Sequence, residues 1–226
     1  MTRLHDFEHT DGIFFPAGYG ELQRSRYKQR WERDAAEDHV NATIARRSRG
    51  DNEFEALTGK IPKIWADYPA NKHLGTILDI GCGYGRLPLY LSQTRKLACK
   101  TYFGIDISET MLRHLLAYKE RYDFFPSAEI KLICDSADTL PLENDSVDLV
   151  MSNAVFLHMG KEYLKKTLAE IARVIKPGGE FSFVSAFPNR YCLANSLSYL
   201  RSLFRAGRNS RYLKYYSLGE LRRLMR

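Results

Sequence analysis

The feature that most constrains the fold is an alternation of short apolar segments with amphipathic ones between residues 76 and 187. Five apolar segments have the length and composition of buried strands, and helix-length segments separate them. Connections of this kind indicate βαβ crossovers and an α/β fold, in which helices cover both faces of a mostly parallel sheet. The sequence predicts strands at 76–81, 100–106, 129–135, 146–153 and 180–187, and helices at 86–94, 108–122 and 161–175.

The regions on either side of this pattern differ from it in composition. Residues 1–70 show no strand alternation and predict a helical N-terminal segment, with Pro62 breaking an amphipathic stretch at 52–67. Residues 188–226 are rich in aromatic and basic side chains and end in the first turns of another helix. The sequence therefore predicts three units, at 1–70, 71–187 and 188–226.

Composition excludes several classes of protein. No apolar run approaches the roughly 20 residues that cross a bilayer, and the polar N-terminus does not resemble a secretory signal. The cysteines are widely scattered, which predicts a reducing, cytoplasmic location with neither disulfides nor a metal site. They are Cys82, Cys99, Cys134 and Cys192. The net charge of +7 is compatible with an anionic partner or with a solvated basic surface.

A loop with three glycines at alternate positions follows the first predicted strand, in the segment "ILDIGCGYGRLPLYL" at 77–91. Glycine allows positive φ and close approach of the backbone to a ligand, and the next helix presents free N–H groups. A dinucleotide loop reads G-x-G-x-x-G, but Gly85 comes one residue too early for that pattern. Asp79, two residues before Gly81, would repel a pyrophosphate and would suit a ligand that carries an ammonium group.

Asp106 ends the second predicted strand, in "YFGIDIS". A carboxylate at this place can accept hydrogen bonds from both hydroxyls of a ribose, which fits NAD as well as other nucleosides. The alternative is that Asp106 serves as a polar cap for the helix that follows, which opens with Ser108 as its predicted N-cap.

Four motifs together resemble class I S-adenosylmethionine-dependent methyltransferases, close to the small-molecule branch that includes ubiquinone and sterol methyltransferases. They read "ILDIGCGYG", "YFGIDIS", "CDSADTLPLENDSVDLVMSNAVFLHM" and "EIARVIKPGGEF", in this order between residues 74 and 187. The resemblance implies a Rossmann-like methyltransferase fold with strand order 3-2-1-4-5-7-6. It also implies S-adenosylmethionine as cofactor and S-adenosylhomocysteine as product.

The resemblance also implies which residues surround the cofactor. The backbone from Asp79 to Gly83 would approach the methionine part, Asp106 would hold the ribose, and Ile107 would pack on the adenine. The third motif departs from the family pattern, so the adenine contact is assigned jointly to residues 135–137. The full predicted set is Asp79, Gly81, Cys82, Gly83, Gly85, Asp106, Ile107, Asp135, Ser136, Ala137, Asn153 and Ala154, the last two beside the sulfonium.

The predicted reaction is an in-line methyl transfer to a small-molecule acceptor of anionic or amphiphilic character. His158 is the candidate general base, because it falls just beyond the fourth strand, where ligands bind in open α/β sheets. The alternative is that His158 packs on the cofactor or caps the loop without moving a proton.

Aromatic side chains outside the α/β region are candidates for a lid or for acceptor binding. Tyr19, Tyr27 and Trp31 lie in the N-terminal segment, which folds over the cofactor in the family that the chain resembles; ordinary helix packing is the alternative. Tyr191 and Tyr215 lie among arginines after the fifth strand. They would suit an anionic acceptor, a membrane surface or nucleic acid, or belong to a plain helical cover.

Three other functions compete with this prediction. A nucleic-acid methyltransferase would carry an Asn/Asp-Pro-Pro-aromatic motif or a Pro-Cys pair, but the chain reads "SNAVF" after the fourth strand and contains no Pro-Cys. A non-catalytic cofactor-binding partner subunit would not need so complete a loop. An NAD-linked oxidoreductase fits badly with the glycine spacing and with Asp79.

The end of the sequence raises one further expectation. The family's last two strands form an antiparallel hairpin, but the sequence stops at Arg226 inside the helix that should precede it. An uncovered fifth strand would be an exposed edge. We therefore expect a longer natural chain, a partner, or residues 189–216 to cover that edge.

Overall fold

The computed structural model describes residues 4–17, 19, 53–184, 219–220 and 223. Within them the chain forms seven strands: β1 (Phe7–Thr10), β2 (Ile13–Pro16), β3 (His73–Ile80), β4 (Ala98–Asp106), β5 (Glu129–Cys134), β6 (Val147–Asn153) and β7 (Ile175–Val184). The helices are α1 (Glu53–Thr58), α2 (Lys63–Ala66), α3 (Arg86–Arg95), α4 (Glu109–Tyr122) and α5 (Lys161–Val174), with 3-10 turns at Leu4–Asp6 and Phe156–His158.

One sheet contains all seven strands, in the order β1-β2-β5-β4-β3-β6-β7. Every neighbouring pair is parallel except β1 with β2. The five predicted strands therefore occupy the order 3-2-1-4-5, and the prediction of a mostly parallel α/β sheet is confirmed. No helix within the described part of the chain is long and apolar enough to cross a membrane.

The central strands are largely apolar because both of their faces are covered. Successive side chains on a strand point to opposite faces, so Ile77 and Leu78 of β3 enter different cores. Helices α1 to α4 cover the face that holds Ile77, and α5 covers the other. Pro62 separates α1 from α2, as the sequence predicts, and its carbonyl accepts from the Trp65 N–H at 2.9 Å.

The N-terminal segment departs from the prediction. The expectation that residues 1–70 lack strands is wrong for residues 7–16, which form an antiparallel hairpin and extend the sheet beyond β5. Asp11 and Gly12 make its turn with φ of 49° and 82°, a conformation that Asp-Gly favours between two strands. Ile13 is fully buried and Phe15 nearly so, so the hairpin is part of the core.

The opposite end of the sheet is formed by β7, whose first half is irregular. Val147 pairs with Ile175 but Leu149 pairs with Glu180, so the residues around Pro177, Gly178 and Gly179 bulge out of register. This agrees with a structural turn in the "KPGG" segment. The predicted unit at 188–226 lies outside the described residues, apart from 219–220 and 223.

Candidate functional site

The glycine loop connects β3 to α3 at the carboxyl edge of the sheet. The backbone N–H groups of Gly81 and Cys82 both donate to the Ile105 carbonyl of β4, at 2.8 and 3.1 Å. Gly81 and Gly83 have φ of 67° and 54°, values that favour glycine. A Cβ on Gly81 would lie only 2.3 Å from Val155 Cγ2, whereas one on Gly83 would meet no atom within 4 Å.

Asp106 joins this loop to the start of α4. Its Oδ2 accepts from the Gly83 N–H at 2.9 Å, and its Oδ1 accepts from the Ser108 N–H at 2.9 Å. Ser108 is the N-cap of α4, as predicted, since its hydroxyl accepts from the Met111 N–H at 3.2 Å. The carboxylate of Asp106 therefore organises two backbone segments, and capping and ligand binding are compatible roles.

A cavity of about 180 Å³ opens between the glycine loop and the segment after β6. One water molecule needs roughly 15 Å³ of such space, so the cavity admits an organic ligand. It lies at the carboxyl ends of the central strands, where open α/β sheets bind ligands. The predicted residues that line it are Gly81, Gly83, Asp106, Ile107, Asp135, Ala137, Asn153, Ala154 and His158.

Four other predicted cofactor residues do not line the cavity: Asp79, Cys82, Gly85 and Ser136. Gly85, with φ of 84°, is the N-cap of α3. The Ser136 hydroxyl donates to Asp138, and its N–H donates to Asp135 Oδ1 at 2.7 Å. Contact of these residues with the cofactor stays a prediction. Tyr27, Trp31, Tyr191 and Tyr215 lie outside the described residues.

Asp79 lies behind the glycine loop, in the core. Its side chain is 2% exposed, and its Oδ2 accepts from the Tyr102 hydroxyl at 3.0 Å. The pKa of Asp79 is raised to about 7, mainly by burial, with a smaller contribution from the charge of Asp106 and against the opposing effect of the Tyr102 hydrogen bond. A role at the ammonium group of a ligand stays a prediction for this carboxyl.

The far wall of the cavity is formed where β6 ends. Asn153 Oδ1 is buried and has no hydrogen-bond partner among the residues that the structure describes, a costly situation that a ligand donor would relieve. Ala154 takes the left-handed φ of 62° and donates its N–H to the Val184 carbonyl at 2.6 Å. This turn leads into the 3-10 helix that ends at His158 and brings His158 to the cavity wall.

Helix α5 fixes the loop that follows β5. The Tyr163 hydroxyl accepts from the Ala137 N–H at 3.0 Å, and Glu170 Oε2 accepts from the Leu140 N–H at 2.7 Å. Arg173 donates to the Leu140 and Leu142 carbonyls at 3.0 and 2.7 Å. The loop that contains the wall residues Asp135 and Ala137 is thus held by three side chains of α5, since Glu170 and Arg173 follow Tyr163 by seven and ten residues and lie on the same helix face.

Several wall residues were not predicted. They are Ile80, Ile105, Ser108, Met111, Val155, Met159 and Tyr163. Five of the seven follow a simple rule that the sequence contains, because each lies at the end of a predicted strand or in the first turn of the next helix. Tyr163, the third residue of α5, is the clearest case. Val155 and Met159 are the exceptions, since they flank the 3-10 turn between β6 and α5.

The wall suits S-adenosylmethionine better than a dinucleotide. The carboxylates of Asp106 and Asp135 line it, and no Lys or Arg is among its described residues. Acids would repel a pyrophosphate but attract a ligand with net positive charge. Asp106 offers acceptor oxygens to ribose hydroxyls, and Asn153 Oδ1 offers an unused acceptor to an N–H or O–H donor.

Comparison with known proteins agrees with this geometry. Residues 78–183 match the methyltransferase domain family. A malonyl-[acyl-carrier protein] O-methyltransferase of Methylococcus capsulatus is 34% identical over 118 residues, which are 50% of this chain and 39% of that protein. A mouse tRNA N(3)-cytidine methyltransferase is 28% identical over 116 residues, 50% of this chain and 29% of that protein. The chain thus spans less than two fifths of these relatives.

Solved structures show the same fold. A complex of the Haloferax volcanii methyltransferase activator Trm112 with a methyltransferase aligns over 89% of this chain and 75% of the other, with a TM-score of 0.60 and 25% identity. A Haemonchus contortus phosphoethanolamine N-methyltransferase in complex with S-adenosyl-L-methionine aligns over 94% and 45%, with a TM-score of 0.62 and 19% identity. Fold, cavity and relatives together identify residues 78–183 as a class I S-adenosylmethionine-dependent methyltransferase domain.

Proposed function

We propose that this chain transfers a methyl group from S-adenosylmethionine to a small-molecule acceptor of anionic or amphiphilic character. The observation that carries the proposal is the cavity at the carboxyl edge of the sheet. Asp106 lines one wall, and the other holds Asn153 Oδ1, which lacks a partner within the described part of the chain. The malonyl group named for the Methylococcus relative carries a carboxylate, which supports an anionic acceptor.

The bound cofactor would supply an electrophilic methyl group on a sulfonium. The chain's own part is then to hold both reactants in line and to keep water out, which can account for much of such a rate enhancement. Asp106 accepts from ribose hydroxyls, Ile107 packs against the adenine, and Asn153 orients a donor of the cofactor near the reacting centre. Asp106 is the last residue of β4, Ile107 follows it, and Asn153 is the last residue of β6. The sheet therefore fixes the separation of these three residues.

His158 stands where an acceptor would approach. The backbone N–H of His158 donates to the Val155 carbonyl at 2.9 Å and so closes the 3-10 turn. His158 lines the cavity. A general base typically contributes about 10²- to 10⁴-fold to the rate. His158→Ala should lower kcat by at least about a hundredfold if the imidazole takes a proton. Near-normal turnover in that variant would leave His158 with a packing role.

The first experiment is calorimetry with S-adenosylhomocysteine and with NAD. We expect the former to bind and the latter not to bind. Binding of NAD alone would refute the proposal, and so would binding of neither. Incubation with methyl-labelled cofactor and fractionated cell extract then identifies the acceptor by whether label enters small molecules, lipid, protein or nucleic acid.

The similarity to a tRNA methyltransferase supports RNA as the second candidate acceptor. The segment "SNAVF" at the end of β6 lacks the Pro-Pro pair of nucleic-acid amino-group enzymes, which favours the small molecule. Label in RNA, but not in small molecules or lipid, would reverse this order. A partner at the outer edge of β7 stays a prediction; the activator in the Haloferax complex makes it worth testing by co-purification.

A further inference from the structure

The N-terminal hairpin and Tyr19, which follows it, are joined to the cavity wall by polar contacts. At its turn, Asp11 Oδ2 lies 3.6 Å from Arg113 Nη1, and Arg113 donates to Glu109 Oε1 at 2.7 and 2.9 Å. Beyond β2, the Tyr19 hydroxyl donates to the other oxygen of the same carboxylate, at 3.2 Å. The turn of the hairpin, through Arg113, and the residue Tyr19 after β2 are therefore both connected to Glu109.

Tyr19 also reaches the end of β5. Its hydroxyl lies 3.1 Å from Cys134 Sγ, and this fully buried sulfur lies 3.8 Å from the Ile107 carbonyl oxygen, to which it donates. Tyr19 does not itself line the cavity. One phenolic oxygen thus contacts two elements, β5 and α4, immediately behind the wall.

The contacted residues are sequence neighbours of wall residues. Glu109 follows Ser108, whose N–H is held by Asp106, and Ile107 lies between them. The Asp11–Arg113 pair is largely exposed, with side chains 69% and 49% accessible, so its contribution is small. Tyr19 is partly buried and bonds to a charged acceptor, and such hydrogen bonds are the stronger ones. Of these two side-chain links, the one through Tyr19 is therefore the stronger.

We propose that Tyr19 is a positioning residue for cofactor binding: through Glu109 and Cys134 its hydroxyl holds residues 106–109 in their binding geometry and couples the N-terminal hairpin to the occupancy of the cavity. This inference rests on the proposed function. It assigns Tyr19 a place behind the cavity wall, rather than a contact with the acceptor.

The test is Tyr19→Phe in the full chain, because phenylalanine keeps the ring that packs edge-on against Phe15 at 4.6 Å and removes only the hydroxyl. Tyr90→Phe is the matched control, since Tyr90 lies on α3 and does not line the cavity. We expect the Kd for S-adenosylhomocysteine to rise about tenfold in Tyr19→Phe, within the usual range of coupling between sites, and to be unchanged in Tyr90→Phe.

Hydrogen exchange supplies a readout that does not need turnover. In Tyr19→Phe without ligand, amides 107–112 should exchange faster, while amides 147–153 of β6 should not change. Because coupling is reciprocal, S-adenosylhomocysteine should slow exchange at amides 13–16 in the unsubstituted chain and do so less in Tyr19→Phe.

The outcomes separate the two proposals. If the unsubstituted chain binds S-adenosylhomocysteine but Tyr19→Phe leaves Kd and exchange unchanged, the role of Tyr19 is refuted and the proposed function stands. If both tyrosine variants lose affinity equally, the effect is not specific to Tyr19, and the inference is again refuted. If the unsubstituted chain does not bind, the proposed function fails and the coupling fails with it.

Discussion

Alanine substitution at two glycines of the same loop separates backbone strain from packing. Gly81 and Gly83 both have positive φ, of 67° and 54°. A methyl group on Gly81 would overlap Val155, with 2.3 Å to Cγ2 and 2.9 Å to Cγ1, whereas the space beside Gly83 is open. Gly83→Ala therefore measures the cost of the left-handed conformation, and Gly81→Ala measures that cost together with a steric clash.

The expected magnitudes differ enough to be measured. A non-glycine residue in the left-handed region costs about 1–2 kcal/mol, and forcing extra atoms into a packed site costs about 1–3 kcal/mol more. For a chain of this size, 1 kcal/mol lowers Tm by about 2–4 °C. We expect Gly83→Ala to lower Tm by about 2–8 °C and Gly81→Ala to lower it by about 4–20 °C.

A double-mutant cycle with Val155→Ala isolates the clash. Removing the two γ-methyl groups of Val155 should recover about 1–3 kcal/mol in the Gly81→Ala background and nothing in the Gly83→Ala background. Thermal and urea unfolding of the single and double variants give the coupling energies. Equal Tm values for the two glycine variants, or absence of rescue by Val155→Ala, would refute the reasoning.

Three further predictions concern the same edge of the sheet. Because burial raises the pKa of Asp79 to about 7, while an unfolded chain has about 3.9, this group's contribution to stability is complete below about pH 4 and is lost as the pH rises to 7. Asp79→Asn should accordingly raise Tm at pH 8 and change it little at pH 4. Ser108→Ala removes the N-cap bond to the Met111 N–H and should cost about 1 kcal/mol, with Ser108→Thr as the control that retains the hydroxyl. Ala154→Gly relieves the φ of 62° and should add about 1 kcal/mol of stability, and a lower Tm would contradict this view of the turn.

The sheet could be predicted from the sequence wherever apolar runs and turn signals coincide. The strand at 100–106 and the helix at 108–122 are examples, since their observed bounds are Ala98–Asp106 and Glu109–Tyr122. The hairpin at 7–16 was not predicted because its first strand β1, "FEHT", is short and mostly exposed and therefore lacks alternation of polar and apolar residues. Only the Asp-Gly turn between the two strands signals it.

The cavity was predictable from the rule that ligands lie at the carboxyl ends of parallel strands. That rule locates Asp106, Asn153 and His158. The rule gives the position of a residue but not the direction of its side chain, and Asp79 is an example. Its position beside the loop suggests a ligand contact, which stays a prediction, and in the structure its Oδ2 accepts from the Tyr102 hydroxyl of the neighbouring strand β4. Orientation depends on packing across the sheet, which local sequence does not contain.

The pairing of β2 with β5 has a consequence for how the chain acquires its structure. Ile13 and Phe14 lie opposite Leu132 and Ile133, so β2 and β5 are far apart in the sequence, and β2 lacks this partner strand until β5 has been synthesised. Contacts of such long range slow folding, and Ile13 and Phe15 are exposed during that interval. Chains released before residue 134 would lack this partner and leave the apolar side chains of β2 exposed, which would make stalled products clients for chaperones.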